Sequence, residues 1–143
     1  MTVESDRPRS SVLWQRAALT FVFLWFFIGG IAHFTHTALE MRIVPPWLPH
    51  ARELVWASGV FELLGAAGLL WRATRRWAGW GLIALTVAVT PANVTMLQQA
   101  AQFDVPRWLL VARLPLQLVL LALIAWGALG AAPGRAPAQG AAR

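Results

Sequence analysis

An all-α integral membrane protein, an antiparallel bundle of four transmembrane helices with both termini cytoplasmic, is the fold class that three features of the 143-residue sequence predict. Hydrophobic residues make up 58% of the chain and charged residues only 13%, which is outside the usage of soluble domains. The apolar residues fall into four long runs with short connections, which favours neighbouring helices packed side by side. Most arginines sit at the ends of those runs rather than on one clustered face. A soluble helical bundle would need a polar stripe along each helix, and runs such as 17–34 and 77–89 offer almost none.

Residues 1–11 form a polar tail with Arg7 and Arg9. The first span covers about 12–34, long enough to cross a bilayer that needs about 20 residues at about 1.5 Å each. It is too long and too aromatic for a signal peptide. The link 35–52 contains Val44-Pro45-Pro46-Trp47-Leu48-Pro49, whose prolines forbid a regular helix and favour extended backbone lying at the interface. The second span covers about 53–71, and a tight turn holding Arg72, Arg75 and Arg76 leads to the third, about 77–97. A polar link with Asp104 and Pro106 precedes the fourth span, about 108–129, and the Ala/Gly/Pro-rich residues 130–143 read as a disordered cytoplasmic tail. Small residues predict helix contacts at Gly59, Gly65 and Gly68 in the second span and at Ala84, Ala88 and Ala92 in the third.

Arginine also sets the orientation. Arg7, Arg9, Arg16, Arg72, Arg75, Arg76, Arg135 and Arg143 fall on one side, against Arg42, Arg52 and Arg107 on the other, so the richer side is cytoplasmic. The net charge of +6 is carried by arginine alone, dispersed at span ends where lipid head groups lie, which argues against a nucleic-acid partner. Cysteine is absent, so any thiol chemistry belongs to a partner or a substrate.

With the spans placed, polar residues concentrate in the outer half. Glu62 lies roughly 13 Å below the outer start of its helix at about 1.5 Å per residue. Asn93 lies roughly 6 Å below the outer end of its own, just after Pro91, which frees a backbone carbonyl one turn earlier. Arg113 and Gln117 lie roughly 8 and 14 Å below Trp108, with Pro115 between them. A carboxylate and a guanidinium at similar depth relieve each other's desolvation, so Glu62 and Arg113 are the expected pair, with Asn93 and Gln117 completing the hydrogen bonds. The prolyl segment would be a lid over that cluster. The structural alternative is that the pair only cross-links helices. His33, His36 and Glu40 have the i, i+3, i+7 spacing of one helical face, a weak alternative metal set beside an expectation of no metal.

Gly29-Gly30-Ile31-Ala32-His33-Phe34, Val44-Pro45-Pro46-Trp47-Leu48-Pro49, Ser58-Gly59-Val60-Phe61-Glu62-Leu63-Leu64-Gly65, Thr74-Arg75-Arg76 and Pro91-Ala92-Asn93, in that order, resemble the DoxX-like family of small bacterial four-helix membrane proteins. The resemblance is closest over residues 33–96. It implies a DoxX-like membrane domain over 12–129, in the bacterial cytoplasmic membrane, with a quinone-linked redox role beside partner subunits, by the family's relation to a subunit of an archaeal thiosulfate:quinone oxidoreductase. His33, Glu62 and Asn93 fall on that family's recurring polar positions. The combined expectation is an outer-half pocket of Glu62, Arg113, Asn93, Gln117 and His33 that binds a small molecule such as a quinone, within a redox complex or a homo-oligomer. A small proton-coupled transporter and a non-catalytic membrane scaffold are the alternatives.

Overall fold

The computed structural model describes residues 9–130, and among them every regular element is helical. The predicted polar and disordered tails, apart from their innermost residues, lie outside the described residues. Helix α1 spans Arg9–Thr35, α2 Thr37–Met41, α3 Ala51–Leu70, α4 Arg75–Ala88, α5 Thr90–Gln98 and α6 Arg107–Ile124. Among the described residues four stretches are long and apolar enough to cross a membrane: Ser10–Thr35, Ala51–Leu70, Arg75–Gln98 and Arg107–Leu129. Large apolar side chains such as Ile28, Leu64 and Leu118 are more than 60% exposed in mid-helix, a surface that lipid covers and water would not tolerate.

Several local details depart from the sequence reading. Helix α1 starts three residues ahead of the predicted span. The third span is broken at Val89, because Pro91 has no N–H to give to the preceding turn, and α4 and α5 result. The prolyl segment is folded into turns rather than extended, with the Leu48 N–H donating to the Pro45 carbonyl at 2.9 Å and Pro45 buried. Helix α6 runs through Pro115 and ends in a wide π-turn, Ala125–Leu129. The Gln15 side-chain amide donates to the Trp126 and Gly127 carbonyls that this wide turn presents.

Packing between helices follows the glycines. In α3, Gly65 faces Leu82 and Gly68 faces Ala78, both on α4. Of the third span's predicted small-residue face, Ala84 and Ala88 are exposed; the α4 residues that pack are Ala78, Gly79 and Leu82. Gly79 meets Ala128 in the π-turn, and Gly127 there meets Leu19 of α1. Around these contacts Val22, Phe26, Ala66, Leu69, Leu82, Leu120, Ile124 and Ala128 form a dry core. It fills one end of the bundle and leaves the other, where the 36–50 and 99–106 links lie, free to hold a cavity.

The tightest helix approach is between α1 and α3. A Cβ on Gly30 would lie 3.1 Å from the Gly59 carbonyl oxygen, and one on Gly59 would lie 3.1 Å from the Gly30 oxygen and 2.8 Å from the His33 Cβ. Only glycine lets the two backbones come this close. Gly81, by contrast, has nothing near it. Gly59→Ala is therefore expected to destabilise the protein by about 1–3 kcal/mol through overpacking, while Gly81→Ala leaves it unchanged or slightly more stable; thermal unfolding of both variants in detergent checks this.

Candidate functional site

The glycine crossing carries the first half of the site. His33 lies one turn beyond Gly29 and Gly30 on α1, and Glu62 lies three residues beyond Gly59 on α3, so the close approach brings the two side chains together. His33 Nε2 stands 3.4 Å from Glu62 Oε1, with the side chains only 16% and 13% exposed. This is the only ion-pair contact among the described residues. The remaining atoms, His33 Nδ1 and Glu62 Oε2, are buried and have no hydrogen-bond partner. Gly29 makes the room for the carboxylate: a Cβ there would sit 2.7 Å from Glu62 Oε2.

The second half is a hydrogen-bonded chain that begins at the break in the third span. The Thr86 carbonyl, three residues before Val89, accepts from the Thr90 hydroxyl at 3.3 Å and also from the Gln117 side-chain amide. Gln117 donates as well to the Thr90 hydroxyl at 2.6 Å. Its own Oε1 accepts from Asn93 Nδ2 at 3.0 Å, and Asn93 Oδ1 accepts from Arg113 Nε at 3.2 Å. Each amide is thereby fixed in orientation, and the guanidinium is held at the end of the chain.

Both halves line one cavity of about 570 Å³, within the usual range for small-molecule sites. Its walls come from α1, α3, the α4–α5 break and α6, and they include His33, Glu62, Asn93, Arg113 and Gln117. Glu40 of α2 and Val44, Pro45 and Leu48 of the prolyl turn also line it, so that segment is part of its wall. Arg42 fastens this segment to the other link: its Nη2 donates to the Gln102 carbonyl at 2.6 Å, and its guanidinium lies 5.1 Å from the centre of the Phe103 ring. Trp56 Nε1 donates to the Thr37 hydroxyl at 3.2 Å, and that hydroxyl donates to the His33 carbonyl at 2.7 Å, which anchors α2 to α1 and α3.

All five residues expected from the sequence therefore meet in one place, but the expected pairing is not formed. The partner of Glu62 is His33, and Arg113 donates instead to Asn93. Helix contact decides this, since α3 packs along α1 and α6 reaches α5. Nor do His33, His36 and Glu40 share a helical face. The helix breaks at His36 (φ −121°, ψ 28°), whose Nδ1 lies 2.8 Å from the Thr35 hydroxyl. Among the described residues no three His, Asp or Glu side chains gather closely enough to hold a metal ion. The sequence reading missed the parts played by Gly29 and by Thr86 and Thr90. The adjacent glycines facing a carboxylate, and the threonines one turn before and beside Pro91, were the available signals.

Residues 11–129 match the family described as "Domain of unknown function (DUF8561)". No curated protein and no solved structure matches the chain.

The snug seat of the carboxylate makes a coupled prediction. Gly29→Ala presses on Glu62 Oε2 and should cost about 1–3 kcal/mol, whereas the same change in a Glu62→Ala background should cost clearly less. A double-mutant cycle by thermal or chemical unfolding measures the coupling, expected at about 0.5–3 kcal/mol for groups in contact.

Proposed function

The chain belongs to the DUF8561 family, and we propose that its cavity binds a membrane-soluble small molecule, a quinone by its DoxX-like resemblance, as part of a redox complex in the bacterial cytoplasmic membrane. The observation that supports this reading is convergence: polar side chains from α1, α3, α5 and α6 line one cavity within helices that are otherwise apolar. Polar groups at membrane depth are costly and commonly mark a ligand or ion path. In the proposed arrangement the helices are antiparallel with both termini cytoplasmic, as the arginine distribution favours, and the cavity occupies the outer half.

Reducing a quinone requires two electrons and two protons at its two oxygens. His33 and Glu62 are the acid–base groups that would exchange the protons, and Arg113, Asn93 and Gln117 would position the oxygens. Electrons would arrive from a partner subunit. Transport is a second reading, favoured by the interruption of the third span beside the cavity, since broken helices are a recurrent feature of transporter sites. Proton-driven uptake into proteoliposomes would support it over redox chemistry.

The direct test is binding of an alkylated benzoquinone to the purified protein in detergent. Wild type is expected to bind, and Glu62→Gln to bind about tenfold more weakly, the loss of one hydrogen bond to a charged group. Absence of binding by wild type removes the quinone assignment.

A further inference from the structure

Among the described residues the guanidinium of Arg113 has no counter-charge. Its Nε is used by Asn93, and its two Nη groups have no acceptor among the described residues. The acids that line the cavity are Glu40 and Glu62, and neither lies within ion-pair distance of Arg113. A cation inside an apolar span with an unoccupied donor fork is costly, and a bidentate oxyanion would relieve that cost most directly. Arg113 is an exposed residue, and the hydrogen-bonded chain from Thr86 through Gln117 and Asn93 holds its Nε at the cavity wall.

What adjoins the cation is apolar. Arg113, Leu116, Gln117 and Leu120 line the cavity from α6 at the i, i+3, i+4, i+7 spacing of one helical face. Leu116 and Leu120, with Trp25 of α1, also line a second space of about 150 Å³ between α1 and α6, whose other walls are Phe21, Val119 and Leu123. The two spaces thus share three wall residues, and the walls of the smaller reach further along α6, to Leu123.

The geometry points to an amphiphile with an anionic head group and a single alkyl or prenyl chain as the ligand of this cavity, the anion on the Arg113 fork and the chain in the α1–α6 groove. This rests on the cavity being a ligand site, as proposed above, and assigns it an anionic head group in place of the neutral quinone ring. Phosphate and carboxylate monoanions are the head groups that match the guanidinium fork.

Binding to the full-length protein in a non-ionic detergent is measured with dodecyl phosphate, dodecanol, inorganic phosphate and the alkylated benzoquinone. Dodecyl phosphate should bind at least about tenfold more tightly than dodecanol or inorganic phosphate. Arg113→Gln should abolish the preference over dodecanol, and Arg113→Lys should keep part of it. Val119→Trp, which fills the groove, should weaken dodecyl phosphate and leave inorganic phosphate unchanged. Equal binding of dodecanol and dodecyl phosphate by wild type overturns the anionic head, and this comparison holds even if a variant fails to fold. Inorganic phosphate binding as tightly as dodecyl phosphate overturns the chain. Benzoquinone binding without dodecyl phosphate binding overturns this inference and keeps the cavity's ligand role; binding of none of the probes overturns both.

Discussion

The backbone contact between Gly30 of α1 and Gly59 of α3 is the constraint on which the rest of the structure depends. In a bilayer the tails are as apolar as the side chains, so helices associate through close packing and polar contacts rather than through expulsion of water. Two glycines facing each other supply the close packing. The polar contact then follows from it, because one further turn along α1 and under one turn along α3 lead to His33 and Glu62. Gly29 adds the space in which the carboxylate's second oxygen lies. A sequence that kept His33 and Glu62 but lost these glycines would hold the pair further apart, and each group would face hydrocarbon alone.

The opposite wall is organised by a defect rather than by a close fit. Pro91 interrupts the third span, and the Thr86 carbonyl serves as the acceptor for Gln117, which orients Asn93, which holds Arg113. The cavity is thus bounded by two separate polar systems, one an ion-pair contact that leaves His33 Nδ1 and Glu62 Oε2 without partners and one ending in a cation with no acidic partner among the described residues. The dry core at the other end of the bundle fixes the helices below both. The bundle is thus packed dry at one end and hollow at the other, where the prolyl turn forms part of the cavity wall.

The sequence made axial information legible and left angular information hidden. The rise per residue fixes how far Glu62, Asn93, Arg113 and Gln117 lie from the end of each helix, so their meeting in one cavity could be anticipated. Which of them touch depends on which helices are neighbours and how each is rotated, and four spans allow several such arrangements. The expected Glu62–Arg113 pair failed on that point. Breaks at His36 and Val89 compounded the difficulty, since each resets the helical phase on which face assignments such as His33, His36 and Glu40, or Ala88 and Ala92, were based. The glycines of α3 were legible as contacts because a missing side chain lets helices approach closely, although Gly81 of α4 faces nothing.

The central claim is that these residues enclose a cavity that polar molecules can enter inside an otherwise apolar bundle. Because the chain has no cysteine, single introduced cysteines report on it without background. Ser58 lines the cavity, whereas Val60, two residues away on α3, is exposed on the outer surface. Labelling Ser58→Cys and Val60→Cys in membranes with a water-soluble, membrane-impermeant thiol reagent should modify the first and spare the second. Equal lack of reaction at both positions, in protein that is shown to be folded, would contradict the claim.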